Sequence, residues 1–166
     1  MKIINITKQL PSKGSNGKMD LKKIATLVVH HDGFAIPARY NTLDRIKNEA
    51  KYHVVKGWKH ISYHFIIDNV GDIYQCLPEN EIGYHAGNLA VNKNSIAVCV
   101  QGNFEIQQPT KAQVKALTEF CDWIFTKRPD IPKLVRSGLK GHREVRLNPT
   151  ACPGRNLFSI VQKIKK

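Results

Sequence analysis

The sequence predicts an α/β fold: a single domain with a mixed central β-sheet flanked by about three main α-helices. Several observations carry that expectation. The apolar, β-branched runs Ile24–His30 and Ser95–Val100 read as buried strands. Two further strand-like runs flank Asn69-Val70-Gly71 and read as a hairpin. Apolar residues at helical spacing recur between and after these runs, so strands and helices are interspersed along one chain.

The elements follow in chain order. The first strand ends at His30-His31, and neighbouring strand residues point to opposite faces, so only one of these imidazoles can face a given site. Thr42 is placed to cap a helix in which Leu43, Ile46, Ala50 and Val54 share a face, and Gly57 closes it. Ser62–Asp68 and Asp72–Leu77 form the two arms of the hairpin. Ser95–Val100 belongs near the middle of the sheet because it has no polar face. Thr110-x-x-Gln113 is a capping box, followed by Val114, Leu117, Cys121 and Ile124 at helical spacing, and Pro129 and Pro132 end that helix. A last helix carries Leu157, Ile160, Val161 and Ile164 on its buried side. The domain takes in residues 1–166, with a core of about 24–164 and an N-terminal extension over 1–20.

Composition narrows the class. At 166 residues the chain can bury one substantial core, and its 42% hydrophobic content argues against disorder. Met1–Leu10 carries Lys2 and Lys8 where a signal peptide would have an apolar run, and no stretch is apolar enough to span a bilayer. Cys76, Cys99 and Cys121 occupy strand-like or helical apolar positions and read as reduced, buried thiols rather than a disulfide framework. Twenty-six Lys plus Arg against thirteen Asp plus Glu leave a net charge of +13, which favours an anionic partner. The chain lacks the paired Cys and His spacing of a zinc finger, so no nucleic acid partner is expected.

One stretch carries chemistry. Gly141-His142 is followed, ten residues after the histidine, by Cys152-Pro153-Gly154. A thiolate and an imidazole are donors that zinc prefers, and His30-His31 offers a third. Three protein ligands with an open fourth position describe a catalytic zinc, whereas four closed ligands describe a structural one.

Around these residues six blocks recur in one order. They are His30 after its apolar strand, Gly57-Trp58-x-x-Ile61-Ser62-Tyr63-His64-Phe65-Ile66-Ile67-Asp68, Gly71-Asp72-Ile73-Tyr74-Gln75, His85-Ala86-Gly87, Asn94-Ser95-Ile96-Ala97-Val98, and Gly141-His142 with Cys152-Pro153. That order resembles the zinc-dependent N-acetylmuramoyl-L-alanine amidases of type 2, a superfamily that includes small bacteriophage lysozymes and the peptidoglycan recognition proteins. The resemblance runs from about Leu27 to Phe158.

The resemblance implies one zinc ion per chain, held by His30, His142 and Cys152. It places the catalytic tyrosine at Tyr63 and a second polar catalytic position at Thr150, where many phage members carry lysine. Relatives of the cytoplasmic recycling branch place a glutamate where this chain has Cys99, so that general base is missing here. His85 is expected to line the groove and orient substrate or catalytic groups. Trp58 is expected either to pack under the site or to stack on sugar or peptide. His64 reads as core packing or support for a ligand, and His53 and His60 as surface or packing residues. The spacing suggests no role for Asp32.

These implications add up to an expected activity: hydrolysis of the amide between N-acetylmuramic acid and the L-alanine of the stem peptide, by an enzyme of the phage endolysin kind. A non-catalytic peptidoglycan-binding module is the alternative. The expected partner is bacterial peptidoglycan, with anionic wall polymers or outer-membrane lipid attracted by the net charge, and a monomer is expected. Such an enzyme would wait in the host bacterial cytoplasm and act on the wall after membrane breach.

Overall fold

The computed structural model describes residues 1–35 and 41–166. Its centre is a six-stranded sheet: β1 (Ile3–Asn5), β2 (Thr26–His31), β3 (Phe65–Ile67), β4 (Ile73–Gln75), β5 (Ser95–Val100) and β6 (Leu139–Gly141). The strand order is β1-β4-β3-β5-β2-β6. β3 and β4 pair antiparallel as the hairpin, and the other four pairings are parallel. The helices are α1 (Thr42–Val55), the short α2 (Leu89–Asn92), α3 (Lys111–Thr126) and α4 (Arg155–Lys165). The fold class is therefore the one expected, a mixed sheet with three long helices and one short one.

Several boundaries differ from expectation, each for a physical reason. The first helix is capped by Asn41, whose side chain accepts from the Asp44 amide, and Thr42 is its first helical residue. Both types cap well, and the residue one position earlier takes the role. Thr42 instead turns its hydroxyl to Asp68 at 3.0 Å. The hairpin arms are shorter than predicted because Asp68 gathers the turn, accepting from the Val70 and Asp72 amides. β1 lies in the predicted N-terminal extension and β6 in a segment with no strand signal. Each is three residues long and is recruited at a sheet edge.

The pleat sorts side chains onto two faces. Leu27 and Val29 of β2, Phe65 and Ile67 of β3, and Ile96, Val98 and Val100 of β5 pack with Leu117, Phe120, Leu157 and Val161 of α3 and α4. The alternate residues Ile66 and Cys99 face Ile46 and Ala50 of α1. α3 forms where predicted, with Thr110 and Gln113 making the reciprocal capping box. Full burial of a residue such as Leu117 or Phe120 contributes about 1.5–3 kcal/mol. Among the described residues no helix is long and apolar enough to cross a membrane.

Candidate active site

The parallel strands β5, β2 and β6 bring the site together. His30, next to last in β2, lies opposite Cys99 of β5, and the same alternation puts it on the α1 side of the sheet. His31 points to the other side, where its Nδ1 accepts from the Phe104 amide at 3.1 Å. β6 pairs with β2 so that Gly141 lies opposite Val29. His142 therefore emerges beside His30, with ring centroids 4.4 Å apart. Glycine at 141 leaves room for this approach, because a Cβ there would stand 2.8 Å from the Phe158 ring and force it to shift.

Cys152 returns to the same point on a loop tied at both ends. Its carbonyl accepts from the Arg143 amide at 3.0 Å, and its amide donates to the Thr150 hydroxyl at 3.2 Å. Its sulfur accepts from the His31 amide at 3.4 Å and lies 3.7 Å from His30 Nδ1. Gly154 then stands just before α4 at φ +84, where a Cβ would strike the backbone of Phe104. One donor atom each from His30, His142 and Cys152 lies within 4.8 Å of the others.

Electrostatics suit a cation at this point. Burial, with His85, His142 and His31 adding to it, holds His30 neutral well below the usual histidine range. Burial first, opposed by the Ala86 carbonyl, lowers His142 to about 4. Both imidazoles therefore stay in the form that donates a lone pair. The Cys152 thiol is pushed up to about 12, mainly by burial, so it ionises at neutral pH only with positive charge beside it. Nε2 of His142 is buried and makes no hydrogen bond among the described residues. Two neutral imidazoles and one thiol, converging on one point with the charges of Arg143 and Arg146 favouring the thiolate, form a donor set that fits zinc.

Tyr63 tilts against His30 with ring centroids 5.1 Å apart. Burial raises its phenol well above the usual range, with the charges at Cys99, Glu49, Cys152 and Asp32 adding to the shift, so it is a hydrogen-bond donor at neutral pH. Thr150 accepts one hydrogen bond from Cys152 and keeps its own hydroxyl proton to give. His85 is buried behind His30, with its Nδ1 3.0 Å from His30 Nε2. Trp58 stacks on His53 at 4.7 Å and does not line the cavity next to Tyr63. His64 is fully buried, Nδ1 accepting from Ala97 and Nε2 bonding the Glu81 carbonyl, so it ties two chain segments together. His60 is buried too, and it holds Asn16 of the N-terminal segment.

Beside Tyr63 opens a cavity of about 790 Å³, lined by Asp32, Arg45, Glu49, Tyr52 and His53 among others. Asp32 has a clear task here. Its carboxylate accepts from both Arg45 Nε and Nη2 and from the amides of Phe34 and Gly102, so it locks the loop after β2 to α1 and to the end of β5. Burial, with Asp32 adding to it and Arg45 opposing, raises Glu49 to about 8. Arg45, Glu49 and His53 did not stand out as candidates in the sequence. Their i, i+4, i+8 spacing is the signal that could have found them, because it sets a polar stripe along α1 beside the apolar one.

Comparisons with known proteins show where this fold belongs. Peptidoglycan-recognition protein SC2 of Drosophila simulans is 29% identical over 137 residues, covering 81% of this chain and 71% of that protein. The amidase LysC from Clostridium intestinale URNW superposes with a TM-score of 0.76 at 25% identity, covering 99% of this chain and 97% of that one. A Drosophila peptidoglycan recognition protein LB variant, solved with tracheal cytotoxin, shares the fold at a TM-score of 0.80 and 23% identity, over 96% and 92% of the two chains. The family model described as N-acetylmuramoyl-L-alanine amidase matches residues 20–155. The chain belongs to the Amidase_2 family of N-acetylmuramoyl-L-alanine amidases, the superfamily shared with peptidoglycan recognition proteins.

Proposed function

We propose that the protein is a zinc-dependent peptidoglycan hydrolase that cuts the amide between N-acetylmuramic acid and the L-alanine of the stem peptide. One observation carries the proposal: His30, His142 and Cys152 converge within 4.8 Å, with the Tyr63 ring against His30 and a groove opening beside it. An amide carbonyl is a poor electrophile and water a poor nucleophile. Zinc, when bound, lowers the pKa of its water to about 7 and polarises the carbonyl.

The protein's own groups do the rest. His30 and His142 are held neutral and Cys152 is held on a tied loop, so the donors are pre-placed. Tyr63 donates a hydrogen bond to the oxygen on which negative charge develops, and Thr150 adds a second donor from the Cys152 side. The Asp32–Arg45 pair keeps the groove wall in place while the stem peptide lies along α1. The net charge of +13 draws the enzyme to anionic wall polymers. An endolysin role, with action on the wall once the host membrane is breached, accords with the likeness to a clostridial endolysin amidase.

A non-catalytic peptidoglycan binder is the second reading, supported by the likeness to recognition proteins. The two separate cleanly. The wild type is expected to retain about one zinc per chain and to clear wall suspensions. Cys152→Ser is expected to lose both while keeping the fold by circular dichroism. Full lysis by that variant would contradict the zinc mechanism. Wall binding by wild type without lysis would favour the binder.

A further inference from the structure

We infer that Ser95 and His85 form a hydrogen-bond relay that sets the tautomer of His30, leaving its Nδ1 as the lone-pair nitrogen that faces Cys152. The direction of the relay follows from proton counting. Ser95 Oγ lies 2.7 Å from the Val91 carbonyl oxygen and 3.1 Å from His85 Nε2. A carbonyl can only accept, so the single hydroxyl proton of Ser95 goes to Val91. Ser95 Oγ must then accept from His85, which places the N–H of that ring on Nε2.

His85 Nδ1 is thereby left with a lone pair, 3.0 Å from His30 Nε2. Two facing lone pairs would repel, so His30 carries its proton on Nε2. The remaining nitrogen, Nδ1, is the one that stands 3.7 Å from Cys152 Sγ. Each step is forced by the one before, and the chain of protons begins at a backbone carbonyl that cannot change its role.

The surroundings fasten this relay. Asn92, itself buried, accepts from the His85 and Ala86 amides through Oδ1 at 3.3 and 2.8 Å. Asn88 caps α2 through the Ala90 and Val91 amides, fixing the carbonyl end. Ser95 is fully buried at the start of β5, where it lies opposite Thr26 on the strand that carries His30. The segment from His85 to Ser95 thus acts as a bracket for a ligand on another strand. Ser95 and His85 are positioning residues, and the polar partner behind a metal-binding histidine commonly orients the ring and raises its basicity.

This inference rests on the zinc reading for its consequence, but its core can be tested without metal. Long-range ¹H–¹⁵N correlation of histidine-labelled, metal-free wild type is expected to show both His30 and His85 as Nε2–H tautomers. A Nδ1–H signal for either ring would overturn the relay even if the protein binds zinc. Zinc affinity, measured by competition with a chromogenic chelator, is expected to fall about 10–100-fold in His85→Ala and about 10-fold in Ser95→Ala. Ser95→Thr, which keeps the hydroxyl, is expected to restore it, which a merely structural role would not require. Wild-type affinity in folded Ser95→Ala and His85→Ala would overturn the proposal. Failure of wild type to bind zinc would refute the proposed function instead, with the tautomers still deciding the relay.

Discussion

The two faces of one sheet do different work. The face under α3 and α4 is a continuous apolar layer, from Leu27 and Val29 through Phe65 and Val98 to Phe120 and Val161. The face under α1 carries a smaller apolar cluster, and at its open end stand His30, Tyr63, Glu49, His53 and the Asp32–Arg45 pair. The first face can supply stability because nothing there needs to meet water or charge. The second gives up apolar packing so that groups with shifted protonation can line a groove. The pleat keeps the two apart at single-residue resolution, sending His30 to one face and His31 to the other.

That division can be broken from either side. The largest effect on stability is expected on the packing face, where Phe120→Ala should cost about 3–5 kcal/mol. Denaturant melts would report it, while zinc affinity of the folded fraction stays near wild type. A matching loss of zinc affinity in that folded fraction would show that the faces are coupled. On the functional face, Tyr63→Phe should leave stability and zinc content nearly unchanged. It should cut turnover by about 10²–10³, the usual cost of losing one oxyanion donor. A drop in zinc content instead would move Tyr63 from catalysis to site assembly.

A subtler effect is expected at Glu49. Its carboxyl is raised from 4.5 to about 8 in the folded protein, chiefly by burial. A raised acid pKa means that folding favours the neutral form, so stability is lost as pH climbs from about 4.5 to about 8. Glu49→Gln should therefore melt close to wild type at pH 4 and above wild type at pH 9. Equal melting temperatures at both pH values would show that Glu49 ionises freely in the groove.

What was legible in the sequence follows the range of the signals. β5 and α3 could be read because their cues are local: a nearly continuous apolar run from Ser95 to Val100, and a Thr-x-x-Gln box ahead of a helical stripe. β1 and β6 could not, because three residues carry no period and their pairing partners lie about 70 and 110 residues away. At the site, His142 and Cys152 announced themselves by residue type and loop context. The choice of His30 over His31 needed the family resemblance, and the strand register then supplies the physical reason. The groove was hidden because Asp32, Arg45 and Glu49 are ordinary surface charges until α1 is laid against the end of β2. The role of Ser95 was hidden in the same way, since only distances show which way its proton points.

The central claim is that this site cuts a defined bond rather than merely holding wall fragments. Mass spectrometry of purified peptidoglycan digested by the zinc-loaded protein tests it most directly. The account predicts glycan strands with free lactyl groups on muramic acid, together with intact stem peptides that begin at L-alanine. Undigested peptidoglycan in a sample where the protein is folded, zinc-loaded and wall-bound would contradict it, as would products cut within the glycan or inside the stem.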